Sequence, residues 1–350
     1  MMLYGRTWTR RELEARVARI ENQAGVRKIC LAEGPEAGVE LFWVRTGAGL
    51  AYYVNPSRAL DIGLTEYCGV PLSWQSVTGE VHPLHYDPRA FEWLRTASGG
   101  LLMTCGLTQV GAPCEDEGEE LGLHGRIHHL AARHVGVTAD WRGDDYELTI
   151  SGLVEQTRIF GENLRLTRVI RSRLGSNRII LDDRVENAGF TPVPHMILYH
   201  LNFGFPFMSE HTLLRFPEGK VVPRDGGVPV AGFDSFEPPR AGYQERVYYH
   251  ELPALPPGEE ITEVRLTNPH FPLPHGEVVL TVSLRWDRRT LPRLVEWKMP
   301  AAGVYALGVE PANCYVEGRA AERARGTLVT LAPGESRDYH LECEVRVGES

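Results

Sequence analysis

The sequence of 350 residues lacks the features that mark membrane proteins and nucleic-acid-binding proteins. No segment reaches the ~20 consecutive apolar residues that a membrane-spanning helix needs. The N-terminal MMLYGRTWTRRELEARV has no apolar signal-peptide core. Asp and Glu (46) outnumber Lys and Arg (37), and the net charge of −9 leaves no cationic cluster for phosphate contacts. We therefore expect a cytoplasmic protein with neither a membrane nor a nucleic acid as partner.

The short motifs of the commonest cofactor enzymes and hydrolases are also missing. There is no G-x-x-x-x-G-K-[ST], no strand-borne G-x-G-x-x-G, no G-x-S-x-G and no H-E-x-x-H. These motifs belong to nucleotide-binding loops, dinucleotide folds, serine hydrolases and zinc proteases. The sequence therefore gives no reason to expect a cofactor.

Cysteine is sparse, with six residues and no C-x-x-C pair. We expect free thiols in a reducing cytoplasm. His82 with His85, and His124 with His128, have spacings that a metal site can use. Because both segments also carry turn residues, we predict no metal site.

Alternation of apolar and polar residues runs through most of the chain. In EVVLTVSLRW (277–286) and YHLECEVRV (339–347), every second residue is apolar, as in a half-buried antiparallel strand. The 36 glycines and 24 prolines interrupt such runs at short intervals, as turns do. This pattern predicts an all-β, mostly antiparallel sandwich or barrel.

One helix is predicted near the N-terminus. Thr9 followed by Glu12 has the form of a capping box. Leu13, Val17 and Ile20 then share one helical face, and Gly25 is a plausible stop. We expect residues 1–25 to form a helical extension and residues 26–350 to form a single β domain.

Two residues have unusual positions for their chemistry. His200 lies in the apolar run HMILYHLNFGFPF (195–207), and Glu310 ends the strand-like VYALGVEPAN (304–313). A buried histidine can be a hydrogen-bonded core residue or a general acid tuned by burial and a nearby carboxylate. A glutamate at a strand end is usually solvated. Facing each other across a cleft, however, the two can move a proton on and off a substrate.

Three short motifs occur in an order that resembles the galactose mutarotase-like family, the aldose 1-epimerases. They are LHGRI (123–127), YHLNFGFP (199–206) and LGVEPAN (307–313). NPSRALDIGLTEYCGVPLSW (55–74) and LAPGESRDYHLECEV (331–345) are similar to its DUF4432-type bacterial branch. The resemblance covers the chain after the N-terminal helix. It implies a β-supersandwich with a sugar pocket on its concave face.

The resemblance also assigns roles to individual residues. His200 would act as general acid on the ring oxygen, and Glu310 as general base on the anomeric hydroxyl. His124 would hold the sugar near its anomeric carbon. Where the family has an aspartate in a GYD segment, AGYQERVYYH (241–250) has Gln244, followed by Glu245. The other candidate substrate-binding residues are Arg58 and Arg126, which are alternatives for the family's arginine, Asn202, and Trp297, whose indole can stack on a sugar.

The implied function is interconversion of sugar anomers by acid–base ring opening and closure, without a cofactor. The expected partner is a small-molecule carbohydrate, and the expected assembly is a monomer or a homodimer. A non-catalytic carbohydrate-binding protein is one alternative, because a fold does not fix a function. A sugar lyase or another isomerase on the same scaffold is a second.

Overall fold

The computed structural model of the protein describes residues 1–254, 258 and 260–348. Within these residues there are two α-helices, α1 (Arg10–Glu14) and α2 (Arg319–Arg325), and five 3-10 turns at Ile20–Asn22, Gly34–Glu36, Pro83–His85, Glu92–Arg95 and Ile127–His129. The strands, in chain order, are β1 (Met2–Leu3), β2 (Arg6–Thr7), β3 (Gly25–Cys30), β4 (Glu40–Arg45), β5 (Leu50–Asn55), β6 (Asp61–Tyr67), β7 (Val70–Pro71), β8 (Leu102–Leu107), β9 (Cys114–Asp116), β10 (Glu119–Leu121), β11 (Arg133–Arg142), β12 (Asp145–Thr157), β13 (Asn163–Arg173), β14 (Arg178–Asn187), β15 (Val193–Gly204), β16 (Leu213–Arg215), β17 (Lys220–Pro223), β18 (Arg246–Glu251), β19 (Ile261–Leu273), β20 (Gly276–Asp287), β21 (Arg293–Met299), β22 (Ala306–Ala312), β23 (Val329–Leu331) and β24 (Ser336–Val347).

Two large sheets contain most of these strands. The larger sheet has the order β17-β18-β21-β22-β15-β8-β6-β5-β4-β3, with β7 beside β6 and β23 beside β15. The smaller sheet has the order β11-β12-β13-β14-β24-β20-β19-β16. Neighbouring strands pair antiparallel in both sheets. The predicted all-β, mostly antiparallel sandwich is confirmed.

One hydrophobic core joins the two sheets. It includes Ile150 and Val282 from the smaller sheet and Val54, Tyr199 and Val309 from the larger one. Strand β12 shows how the smaller sheet contributes, because its residues alternate strictly between buried and partly exposed positions. That alternation is the period of two predicted for half-buried strands.

The N-terminal helix is shorter than predicted. The capping box forms, since the Thr9 side chain accepts from the backbone N–H of Glu12 and the Glu12 carboxylate accepts from that of Thr9. The helix nevertheless ends at Glu14, and Gly25 begins β3, where pairing with β4 replaces further helix. Leu13, which packs into the core, is its one buried residue. No helix of the described residues is long and apolar enough to span a membrane.

Strand β15 is buried on both of its faces. Tyr199 and Leu201 point into the core between the sheets, whereas Leu198 joins a second apolar cluster on the opposite side of the larger sheet. Side chains of a strand alternate between faces, so His200 and Asn202 lie on the same side as Leu198. The run around His200 is apolar because both faces of its strand are covered.

Candidate active site

The strand register of the larger sheet sets His200 opposite Glu310. Strands β15 and β22 are antiparallel neighbours, and Leu201 pairs with Val309. One step along this register brings position 200 against position 310. Both side chains lie on the face that points away from the smaller sheet, because Leu201 and Val309 point into the core between the sheets.

His200 and Glu310 contact each other directly. The His200 Nε2 atom is 3.1 Å from the Glu310 Oε1 atom, and the two residues are 8% and 2% exposed. Burial lowers the pKa of His200 to about 3 and raises the pKa of Glu310 well above its usual value. Burial has these effects because it disfavours the charged form of each group. Burial therefore favours the neutral imidazole of His200 and the protonated form of Glu310.

Gly308 has no side chain, and the space that a side chain would fill is occupied by His200 and Glu310. A Cβ atom at position 308 would lie 2.7 Å from Glu310 Oε1, 3.0 Å from His200 Cε1 and 3.0 Å from the Cβ of Trp297. Distances this short cannot be accommodated without moving one of the three side chains. The close approach of His200 and Glu310 thus depends on a residue without a side chain.

Asn202 lies behind His200 on the same face of β15. Its Nδ2 donates to the carbonyl oxygens of Gly100 at 3.1 Å and His200 at 2.9 Å. The Asn202 amide raises the pKa of His200, opposing the effect of burial. Its Oδ1 and the Nδ1 of His200 are both buried, and neither has a hydrogen-bond partner among the described residues. Asn202 is therefore placed to hold the Nδ1 side of the ring, leaving Nε2 towards Glu310.

His124 reaches the site from a tight turn. Its backbone is left-handed, with φ of 56°, and its N–H donates to the Gly111 carbonyl at 3.0 Å. Its Nδ1 accepts from the Gly111 N–H at 3.3 Å. Burial lowers the pKa of His124 to about 4. The ring is consequently neutral, carries its proton on Nε2, and lies 6.1 Å from the His200 ring, centroid to centroid.

A cavity of about 660 Å³ opens over the His200–Glu310 pair. Three tryptophans form much of its wall: Trp74, Trp93 and Trp297. The Trp297 ring lies 5.6 Å from the His200 ring and 5.7 Å from the Trp74 ring. Aromatic walls with a few convergent polar groups are typical of small-molecule sites of this size.

Three charged residues form a connected group at the side of the cavity. Glu245 accepts from Trp297 Nε1 at 2.9 Å and from Arg224 Nη2 at 2.9 Å. Arg224 also forms a bidentate ion pair with Asp225, in which the shortest distance, from Nη2 to Oδ2, is 2.7 Å. One cation thus shares its charge between two carboxylates, and the indole of Trp297 is fixed by one of them.

Five of the eight predicted site residues line the cavity: His124, His200, Glu245, Trp297 and Glu310. Asn202 lies behind the wall, as described above. Arg58 does not reach the cavity; it is fully buried and donates from Nη2 to the carbonyl of Val81. Burial lowers the pKa of Arg58 to about 10. Arg126 is exposed, outside the cavity lining, so neither arginine supplies a cation to it.

Sequence reasoning missed several lining residues, among them Trp74, Trp93, Arg224 and Asp225. Arg224 and Asp225 directly follow β17, where a charged pair ahead of two glycines is usually only a turn. The sequence held no signal for their place in the site, because it depends on the pairing of β17 with β18. Trp93 lies in a 3-10 turn that no periodicity predicts.

A second His–Glu pair lies on the other face of the same sheet. His250 Nε2 is 3.0 Å from Glu296 Oε2, and the residues are 4% and 0% exposed. The rings of Phe216 and Phe233 lie 4.4 and 5.7 Å from the His250 ring and cover it. Burial lowers the pKa of His250 to about 4 and raises that of Glu296 well above its usual value. We call this the sealed pair.

Within the described part of the chain, no group of three or more His, Cys, Asp or Glu side chains is arranged to hold a metal ion. The histidines considered as ligands make other contacts. His82 Nδ1 accepts from the Leu84 N–H, and His128 Nδ1 lies 2.7 Å from an Asp61 carboxylate oxygen. All six cysteines are free.

Comparison with solved structures identifies the galactose mutarotase-like sandwich. A "putative aldose 1-epimerase" from Klebsiella pneumoniae aligns with a TM-score of 0.80 and 23% identity over 91% of this chain and 83% of that one. Galactose 1-epimerase from Lactobacillus acidophilus gives 0.58 and 13% over 93% and 100%. A galactose mutarotase-like protein from Clostridium acetobutylicum gives 0.57 and 12% over 94% and 100%.

The sequence also matches the family model described as "Domain of unknown function (DUF4432)" over residues 36–345. The chain belongs to this family. No curated protein matches the sequence. Both the fold and the family suggested by the three short motifs are confirmed.

Proposed function

We propose that the protein is an aldose 1-epimerase-like isomerase that interconverts the anomers of a sugar. The observation that carries this proposal is the contact between His200 and Glu310 at the base of the cavity, 3.1 Å apart. An imidazole and a carboxyl group with oppositely shifted pKa values form an acid–base pair that can serve both ends of a ring-opening reaction. A protein that only binds sugar has no need of such a pair at the base of its cavity.

The reaction requires one proton to move at each end of the bond that breaks. Proton transfer across the His200–Glu310 contact gives an imidazolium and a carboxylate. Glu310 then takes the proton from the anomeric hydroxyl while His200 donates its Nε2 proton to the ring oxygen. The bond between the anomeric carbon and the ring oxygen breaks, which leaves a free aldehyde, a neutral His200 and a protonated Glu310.

Closure reverses these transfers on the other face of the aldehyde. After rotation about the bond between C1 and C2, the hydroxyl that was the ring oxygen attacks the carbonyl carbon. His200 accepts the proton of that hydroxyl, and Glu310 returns its proton to the carbonyl oxygen. Each proton transfer contributes about 10²–10⁴-fold to the rate in enzymes of this kind.

Other lining residues have roles that suit this chemistry. Neutral His124 carries an Nε2–H that can donate to a sugar hydroxyl near the anomeric carbon. Glu245 can accept from sugar hydroxyls, since its position is fixed by Arg224 and Trp297. The Trp297 indole offers an apolar face beside the His200 ring.

The deciding experiment is NMR exchange spectroscopy of anomer interconversion for a panel of free aldoses, with and without protein. We expect acceleration by the wild type and a loss of at least about 10²-fold in both Glu310→Gln and His200→Ala. Glu296→Gln in the sealed pair is the matched control and should retain the rate. Full activity of both cavity variants on the true substrate would overturn the proposal.

We also propose a cytoplasmic location, which six unpaired cysteines support. The proposed partner is a small carbohydrate. The assembly proposed with it is a monomer or a homodimer, which analytical ultracentrifugation can distinguish.

A further inference from the structure

The cavity is larger than a single sugar ring requires. Its volume of about 660 Å³ falls in the middle of the range, roughly 300–1,000 Å³, that encloses ligands of drug size. A single aldose is smaller than such ligands. The His200–Glu310 pair therefore accounts for only one end of the available space.

The side chains that line the cavity are buried at its base and exposed at its mouth. Glu310 and His200 at the base are 2% and 8% exposed, whereas Phe91 and Leu94 at the mouth are 59% and 56% exposed. Large apolar side chains exposed beside a cleft commonly mark binding surfaces. The anomeric carbon must reach the base, so the opposite end of a substrate lies at the mouth.

Two partly exposed carboxylates line the same cavity as these apolar side chains. The side chains of Asp225 and Glu245 also line the cavity and are 48% and 47% exposed. A sugar ring has an apolar C–H face and a rim of hydroxyl groups. Phe91 and Leu94 suit the face, and carboxylate oxygens accept hydrogen bonds from the rim.

The charge of the lining disfavours an anionic group at the mouth. Of the lining residues in the described part of the chain, Arg224 is the one with a permanent positive charge, and Asp225 and Glu245 already share it. A phosphate or a uronate there would face carboxylates without a free cation.

We propose that the mouth of the cavity is a second sugar subsite and that the preferred substrate is an uncharged reducing disaccharide. The reducing ring lies over His200 and Glu310, and the second ring lies against Phe91 and Leu94. This inference rests on the proposed function for its chemistry, but its binding component can be measured separately.

The test compares sugars that have the same reducing ring, glucose, and differ only by the second ring: glucose with maltose, and glucose with lactose. For at least one disaccharide, kcat/KM for anomer exchange should exceed the value for its monosaccharide about tenfold or more. Phe91→Ala should lower this ratio at least about fivefold. Phe190→Ala, which removes a 96% exposed phenylalanine outside the cavity lining, should leave the ratio unchanged. The kcat/KM for glucose 6-phosphate should not exceed that for glucose.

Binding by saturation-transfer NMR separates the two proposals. Suppose that the protein accelerates anomer exchange of no sugar, but binds a disaccharide about tenfold more tightly than its monosaccharide. If Phe91→Ala also abolishes this difference in affinity, the result supports the second subsite and overturns the isomerase proposal. Equal kcat/KM and equal affinity for both members of each pair would overturn the subsite. Failure of any uncharged disaccharide to bind, or a gain for glucose 6-phosphate equal to that of maltose, would overturn it as well.

Discussion

The cavity pair, His200 and Glu310, and the sealed pair, His250 and Glu296, are chemically almost identical. Their nitrogen–oxygen distances are 3.1 and 3.0 Å, and burial shifts the pKa values of both pairs in the same directions. They differ in what lies next to them. One pair borders a cavity of about 660 Å³, and the other is covered by Phe216 and Phe233.

This comparison shows that residue types, separation and perturbed pKa values do not by themselves identify an active site. Structural pairs can perturb pKa values as strongly as functional ones do. The distinguishing feature is space for a reacting molecule beside the atoms that exchange the proton. Four experiments test whether the two pairs differ as this comparison implies.

The largest effect is expected from removing both members of the cavity pair. The double variant His200→Ala, Glu310→Gln should lose at least about 10²-fold in turnover, and no more than a few-fold beyond the worse single variant, because the two residues act as a unit. Exchange NMR of the single and double variants measures this. Losses that multiply would show that each residue acts independently.

A large stability loss is expected from the sealed pair alone. His250→Ala should lower the free energy of unfolding by about 2–3 kcal/mol, because it leaves a closed void and a buried Glu296 without its partner. His200→Ala should cost less than about 1 kcal/mol, since the space it vacates joins an existing cavity. Urea unfolding of both variants measures these losses of unfolding free energy. Equal losses would contradict the distinction between the sealed pair and the cavity pair.

A smaller catalytic effect is expected at Asn202. Asn202→Leu should lower kcat about tenfold with little change in KM, as for other residues that orient a catalytic group. Because the Asn202 amide raises the pKa of His200, its loss should also move the acid limb of the pH–rate profile to lower pH. A rise in KM alone would instead indicate a direct contact with the sugar.

The remaining experiment measures how stability depends on pH. Burial holds the folded-state pKa values of His195, His200 and His250 at about 4, 3 and 4, against about 6.5 in the unfolded chain. Between these values the unfolded state binds more protons, so the free energy of unfolding should fall as pH decreases from about 6.5 towards 4. Calorimetry should show this slope, and His195→Gln should reduce it. An unchanged slope would show that His195 titrates normally in the folded protein.

Much of the scaffold could be predicted from the sequence because it depends on local alternation. Strands β20 and β24 form where the residues alternate, and the burial of β24 shows the same period of two. His200, Glu310 and His124 were found because short motifs around them resemble a known family. The structure places all three at one cavity.

Other features could not be predicted because distant parts of the chain create them. The helical pattern that begins at Arg10 gives a helix only to Glu14, and the chain then pairs as a strand with β4 from Gly25. Arg58 is a charged residue in a turn-rich segment, where exposure is the usual expectation, yet tertiary packing buries it completely. Arg224 belongs to the site only because the larger sheet aligns the end of β17 beside β18.

Gly308 has a consequence for the evolution of this family. One added methyl group at position 308 would retain both His200 and Glu310 in the sequence but displace the Glu310 carboxylate from its present position, since a Cβ there would lie 2.7 Å from Glu310 Oε1. Position 308 thus offers a one-letter criterion for dividing the family into members in which the two side chains can approach each other as they do here and members in which they cannot.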